Sequence, residues 1–175
     1  FFYYNREYRE VNYLDKTLLN YYNIIMLKII KYPNIILRKT AQAVTSFDAQ
    51  LKEIAKEMYN TMLTDDGIGL AGPQVNINQR IIIIGKLDHQ AYSVYLNPEI
   101  TYFSKDKEIG EEGCLSLPHI FGLVKRSKKI HLKYYDLEGN KIKEKIKGLK
   151  ATVIQHEIDH LNGILFIDKA EEITR

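Results

Sequence analysis

At 175 residues the chain has the length of one domain. Its 45% hydrophobic and 27% charged residues, with 10 Gly and 4 Pro, exclude the disordered and collagen-like classes, and no apolar run approaches the roughly 20 residues a membrane-spanning helix needs. A net charge of +3 is too small to make nucleic acid the expected main ligand, and the single cysteine, Cys114, excludes an internal disulfide and accords with a reducing compartment.

The chain opens on Phe1 rather than Met, which reads as an upstream piece removed. Residues 1–25 hold six tyrosines, three acids and three bases without an apolar h-region, unlike a secretory signal or an Arg-rich transit peptide. Residues 1–26 are therefore read as an N-terminal extension and 27–175 as a single domain, with ordered structure expected from about Met26. Ile, Lys, Asn and Tyr supply 67 of the 175 residues, and Lys outnumbers Arg 19 to 6, the mark of an AT-biased coding sequence.

The first helix is expected to follow Ser46 as N-cap: Phe47, Leu51, Ile54, Ala55, Met58 and Met62 recur on one face at helical period until Asp65-Asp66-Gly67 stops it. Runs rich in β-branched and aromatic residues predict strands at 80–84, 92–96, 99–103, 123–126 and 130–135. In the last of these Ile130, Leu132 and Tyr134 alternate with His131, Lys133 and Tyr135, and a turn at Glu138-Gly139-Asn140 leads into 141–147 as a hairpin. Residues 125–150 carry ten Lys/Arg against three acids, net +7, which leaves the remainder of the chain at −4. This basic segment is either a Lys-rich strand whose solvent face resists edge-to-edge aggregation or a contact for an anionic partner. A second helix is predicted over 149–161, with Ala151, Val153, Ile154, Ile158 and Leu161 as its apolar face and Asn162-Gly163 as its stop. Consecutive hairpin strands with helices near both ends indicate α+β with a largely antiparallel sheet.

The second helix carries the most chemical content, His156-Glu157-Ile158-Asp159-His160, an H-E-x-x-H pattern. Helical positions i and i+4 share a face, so both imidazoles can reach one divalent metal while Glu157 sits beside its open position as a general base. A catalytic mononuclear site usually takes a third protein ligand. The longer H-E-x-x-H-x-x-G-x-x-H pattern fails, because Phe166 stands where its third His would be. Glu171 and Glu172 lie only a few residues from Arg175, with little scaffold to hold them. The third ligand is therefore expected upstream, at Cys114 within Glu112-Gly113-Cys114-Leu115-Ser116, with His89, His119 and His131 as weaker candidates. A further cluster, Gly67-Ile68-Gly69-Leu70-Ala71-Gly72-Pro73-Gln74, lacks the Gly-Lys-Ser/Thr ending of a phosphate loop. Its glycines would let backbone approach a substrate, and Gln74 could offer an amide N–H to an oxyanion, although a plain turn explains the stretch as well.

Together these three clusters resemble the peptide deformylase family, whose motifs G-x-G-L-A-A-P-Q, E-G-C-L-S and H-E-x-D-H-L-x-G occur in this order. Here they read 67–74, 112–116 and 156–163, with Gly72 as the one departure, in place of the usual alanine. The likeness runs from about Leu27, through Tyr32-Pro33 and Leu37-Arg38, past Leu96-Asn97-Pro98 and Val124-x-Arg126, to about Asp168. Gly72 is expected to add backbone freedom beside the site. The resemblance implies mostly antiparallel β-sheets packed around a central helix carrying the H-E-x-x-H motif, and a catalytic domain over 27–175.

It also implies hydrolysis of the formyl group from N-formylmethionyl nascent peptides, with release of formate. By matching position, Cys114, His156 and His160 would be the metal ligands, with ferrous iron as the usual ion and zinc, nickel or cobalt as substitutes. Glu157 would move the proton, and the Gln74 amide and Leu115 N–H would stabilise the oxyanion. Backbone near Ile68, Gly69 and Gly113 would hold the peptide as an added strand. Ile68, Val153, Phe121, His156 and the Glu157 stem would wall the methionine pocket. Arg126 and Asp159 would pair behind the metal helix. Some members carry an arginine where Phe121 stands, so an ionic contact to peptide is not expected there.

The expected partners are formylated peptide and a bacterial-type ribosome, without membrane binding or specific nucleic-acid recognition. The chain ends at Arg175, soon after the motif helix. A long C-terminal docking helix is therefore not expected, and the 125–150 patch would be the substitute. The expected location is a plastid-like or mitochondrial organelle, with a bacterial cytoplasm as the alternative. The competing readings are an H-E-x-x-H zinc peptidase and a non-catalytic metal-stabilised binding domain.

Overall fold

Asp48 caps the first helix, α1 (Ala49–Thr64), by accepting the Leu51 N–H at 3.0 Å. The expected cap, Ser46, instead donates its hydroxyl to the Asp48 carboxylate at 2.7 Å, so it holds the capping group in place. The structure, a computed structural model, describes residues 27–174 apart from 86 and 88–91. The expected extension 1–26 and His89 lie outside the described residues.

Five strands form the larger sheet, antiparallel throughout in the order β1-β2-β3-β6-β7: β1 (Gly69–Ala71), β2 (Ile81–Gly85), β3 (Tyr92–Phe103), β6 (Lys129–Tyr135) and β7 (Lys141–Lys147). A smaller antiparallel sheet has the order β4-β5-β8: β4 (Lys107–Cys114), β5 (Leu117–Ser127) and β8 (Glu172–Thr174). The second helix, α2 (Leu149–Leu161), lies between the sheets, and every residue from Ala151 to Leu161 is buried. This is the α+β arrangement around a central motif helix that the sequence implies. Among the described residues no helix is long and apolar enough to cross a membrane.

Strand β2 shows how the larger sheet is clamped. Its residues are buried on both faces: Ile82 and Ile84 pack with Ala151, Val153 and Ile154 of α2, while Ile81 and Ile83 pack with Ala55, Met58 and Met62 of α1. Its four consecutive isoleucines therefore read as one apolar run rather than an alternation.

The expected strands 92–96 and 99–103 are a single strand, β3, although Asn97-Pro98 looks like a breaker. Asn97 adopts φ 49°, and its amide side chain makes both hydrogen bonds of a missing strand partner, accepting from Val44 N and donating to Val44 O, each at 2.8 Å. The pairing of β3 with β6 shifts register around this point, and Pro98 falls beyond the residues that pair with β2.

The glycine-rich stretch is not a plain turn. It forms β1 and then a 3-10 helix, Gly72–Val75, in which the Gln74 carboxamide oxygen accepts the Ala71 N–H at 2.8 Å. The expectation that Gly72 loosens this loop is corrected by packing. A Cβ at Gly72 would lie 2.6 Å from Ile77 O and 2.7 Å from Gln79 O, so main chain occupies the space an alanine methyl would need. Gly72→Ala, which restores the usual family residue, should therefore destabilise this chain by about 1–3 kcal/mol through overpacking. Urea denaturation measures the loss, and unchanged stability would show that the 77–79 backbone yields freely.

Candidate metal centre

The H-E-x-x-H motif is buried along its whole length. On α2, His156 and His160 fall one turn apart with ring centroids 4.9 Å from each other. Cys114 arrives from the end of β4, where the register jumps between Gly113, opposite Phe121, and Cys114, opposite Leu117. This irregularity turns the strand end toward α2, and residues 115–116 then form the turn into β5. The Cys114 sulfur lies 3.2 Å from His160 Nε2, and one ligand atom each from Cys114, His156 and His160 lies within 4.8 Å of the others.

A tetrahedral cation with metal–sulfur about 2.3 Å and metal–nitrogen about 2.0–2.1 Å places such atoms about 3.3–3.6 Å apart, so small rotations suffice. The donor chemistry also fits. Burial lowers the pKa of both imidazoles and keeps them neutral with lone pairs to give. His156 Nδ1 faces the Glu112 carboxylate at 2.8 Å, so as the neutral ligand it donates there and leaves Nε2 for the ion. Burial pushes the Cys114 thiol up to about 11, which only a nearby cation would reverse to thiolate. Two fully buried atoms, Glu157 Oε2 and His160 Nδ1, have no hydrogen-bond partner among the described residues.

Behind the ligands runs a chain of opposite charges. Arg126, on β5, donates Nε and Nη2 to the two oxygens of Glu112 at 2.8 and 2.9 Å and Nη1 to Asp159 at 2.6 Å. Lys169 closes the chain by donating to both Asp159 oxygens at 2.7 Å. Burial alone would raise Glu112, but the hydrogen bonds from Arg126 and His156 outweigh it and hold the carboxyl down at about 2. Gln155 adds a polar clamp between helix and strand, accepting from Ser127 N at 3.1 Å and donating to Ser127 O at 2.9 Å.

On the opposite side, β1 passes directly over Glu157. A Cβ at Gly69 would stand 2.4 Å from Glu157 Oε1 and 2.9 Å from Val153 Cγ1, so glycine is what permits this approach. Ile68 and Val153 share one buried cluster there. Gln74 aims its amide nitrogen at the Cys114 sulfur, 3.4 Å away, and at Ser116 Oγ, 3.3 Å away. Leu115 is held from its carbonyl side by Lys31 Nζ at 2.7 Å. Phe121 and Gly113 line a cleft whose rim carries Lys31, Asp65, Asp66 and His119.

Of the alternative third ligands, His119 stands on that rim and His131 lies on the larger sheet against Tyr102, both outside the cluster of ligand atoms. Glu172 is exposed on β8. Sequence reasoning gave Glu112 and Lys169 no role. Glu112 lies two residues before Cys114 on β4, but the register jump at Cys114 and the exposed run before Glu112 leave no alternation to mark it.

Three buried donors of this kind, a neighbouring carboxylate and a glycine-lined cleft define the class of metal-dependent hydrolases with an H-E-x-x-H helix. Residues 26–175 match the family model described as polypeptide deformylase. The peptide deformylase of Thermotoga maritima is 43% identical over 150 residues, covering 86% of this chain and 90% of that protein. Its crystal structure superposes with a TM-score of 0.81 at 42% identity, over 85% of this chain and 99% of that one. The Plasmodium falciparum peptide deformylase gives 0.80 at 43% identity, over 83% and 87%. A Met-Ala-Ser-bound deformylase from Acinetobacter baumannii gives 0.79 at 36%, over 83% and 99%. The chain belongs to the peptide deformylase family, metal-dependent hydrolases that remove the N-formyl group from nascent peptides.

Burial raises the Glu157 carboxyl from 4.5 to about 8 in the protein alone, with the Glu112 charge adding to the rise. A group whose folded pKa lies above its unfolded value holds its proton longer in the fold, so stability is lost as pH climbs through that window. In chelated protein, Glu157→Gln should therefore gain stability over the parent progressively between about pH 5 and 8. A pH series of urea denaturation measures it, and a difference that stays flat would show that Glu157 is already ionised in the fold.

Proposed function

We propose that Cys114, His156 and His160 hold one divalent cation, ferrous iron in the native protein with zinc, nickel or cobalt able to replace it, and that Glu157 works beside it to hydrolyse N-formylmethionyl peptides. The observation that carries this reading is the juxtaposition of the three ligand atoms with a buried carboxylate oxygen that has no partner among the described residues. When bound, the cation supplies a Lewis acid and lowers the pKa of a water to about 7.

The chain's own groups then have separable tasks. Glu157 takes the proton of the attacking water and returns it to the departing amine, so that formate and a free amino terminus result. Its raised pKa suits that traffic at neutral pH, and a neighbouring cation would draw it down. As the formyl oxygen gains charge, the Gln74 amide and the Leu115 N–H are the donors that stabilise it. Gln74 is pre-aimed through its bond to Ala71 N, and Lys31 fixes the Leu115 peptide.

The peptide is read as an added strand between Gly69 and Gly113, because β1 and β4 are each the edge of their sheet. Ile68, Val153, Phe121 and the Glu157 stem form the methionine pocket. The Met-Ala-Ser bound to the Acinetobacter baumannii relative supports a peptide of this kind. Formylated chains arise in bacterial-type translation, so a ribosomal encounter in a plastid-like or mitochondrial organelle is part of the proposal.

Anaerobically prepared protein should release formate from formyl-Met-Ala-Ser and leave an internally cleavable acetylated peptide intact. Cleavage of only the acetylated peptide would select a peptidase instead. Glu157→Ala should keep its metal and lose about 10²–10⁴-fold in kcat/KM, whereas a non-catalytic metal-stabilised domain would show no turnover to lose. Cys114→Ser should weaken metal affinity, and unchanged affinity would remove the thiolate from the ligand set.

A further inference from the structure

Antiparallel register sorts the outer surface of the larger sheet into cross-strand rows. Leu96, Tyr135 and Lys141 form one row, Glu99, Lys133 and Lys143 the next, Tyr102, His131 and Lys145 the third, and Lys129 with Lys147 the last. Helix α1 and its flank cover only the first row, where Phe47 meets Tyr135 with ring centroids 5.6 Å apart. The opposite face of the same strands, with Ile130, Leu132 and Ile146, packs on α2. Half of a sheet face is thus left without a packing partner, and five of the eight residues in its three rows are lysines.

Lys133 reaches Glu99 at 2.7 Å. Among the described residues no carboxylate lies within ion-pair distance of Lys129, Lys141, Lys143, Lys145 or Lys147. Two of the rows set lysine directly opposite lysine, Lys133 with Lys143, where Glu99 offsets one charge, and Lys129 with Lys147, which destabilises a sheet when nothing neutralises it. Protection of an exposed edge explains lysines on β7. It does not explain Lys129, His131 and Lys133, because β6 is an interior strand paired on both sides. Within this field Tyr102, 48% exposed, packs against His131 with centroids 4.6 Å apart.

We infer that this outer face binds RNA without sequence selection, with Lys129, Lys143, Lys145 and Lys147 on the phosphate backbone and the Tyr102–His131 pair as a stacking platform for a base. Interleaved cations and aromatics on an open sheet are what single-stranded nucleic acid recognises. An anionic membrane would call for a group of apolar side chains to insert; the exposed Ile35, Ile109 and Ile173 lie outside these rows, and Phe103 and Leu149 adjoin them at separate ends of β3 and β7. The small net charge of the whole chain conceals the surface, because +7 is gathered in residues 125–150 and −4 is spread over the rest. The catalytic cleft opens elsewhere, beside Gly113 and Phe121, so RNA binding stands or falls separately from deformylation.

The test is fluorescence anisotropy of the metal-loaded full chain with a short labelled oligouridylate across a salt series. Each neutralised phosphate of a single strand adds about 0.7 to the slope of log affinity against log salt. A variant carrying Lys143→Gln, Lys145→Gln and Lys147→Gln should bind at least tenfold more weakly, with a slope reduced by about 2. Its formate release from a small formylated peptide should be unchanged, which verifies that it is folded. A control variant carrying Lys39→Gln, Lys56→Gln and Lys107→Gln should bind RNA like the parent. Equal weakening in both variants would reduce the effect to net charge and overturn the proposal, as would binding to phosphatidylserine vesicles without binding to RNA at low salt.

Discussion

The Glu112 carboxylate accepts hydrogen bonds from Arg126 and from the His156 imidazole together, and the chemistry of the centre depends on that sharing. Helix α2 is buried along its length yet carries His156, Glu157, Asp159 and His160, so their polar atoms need partners within the fold. Glu112 satisfies one ring nitrogen of His156 and thereby frees the other. Arg126 keeps Glu112 ionised while it does so, and Asp159, itself paired with Lys169, balances Arg126 from the opposite side. Removing any middle member would strand a buried charge, which costs far more than the pair contributes relative to apolar groups. Among the described residues of the motif, Glu157 Oε2 and His160 Nδ1 lack a hydrogen-bond partner, and Glu157 is the group to which the proposed reaction assigns the proton.

The two sheets serve this helix differently. The larger one supplies apolar packing through Ile82, Ile84, Ile130 and Ile146 and brings the edge strand β1 over Glu157. The smaller one supplies polar groups: Cys114 and Glu112 from β4, Arg126 from β5. Gly69 and Gly72 are both demanded by close approach, one to the Glu157 carboxylate and the other to the main chain of 77–79. The family resemblance predicted the first. The second follows from the 77–79 main chain occupying the space beside Gly72.

How much could be read in advance follows from how local each signal is. The apolar spacing of α1 and α2, the alternation of β6 and the H-E-x-x-H spacing are local, and each was legible. Strand β4 was not. Its Lys107, Glu108, Ile109 and Glu111 are exposed, Gly110 and Gly113 have no side chains to form a pattern, and burial begins only at Glu112. Strand β3 read as two pieces because the compensation for Asn97-Pro98 comes from Val44, distant in sequence. The motifs named the candidate metal ligands, but the chain from Lys169 to His156 joins five side chains from two strands, a helix and a loop, and no window of sequence contains it.

The measurement closest to the central claim is X-ray absorption at the metal edge of anaerobically purified protein. The account predicts one sulfur neighbour at about 2.3 Å, the distance given by a single thiolate, together with two imidazole nitrogens at about 2.0–2.1 Å for a zinc-loaded sample. A spectrum with no sulfur in the first coordination sphere, or with carboxylate oxygens in place of imidazole, would contradict it.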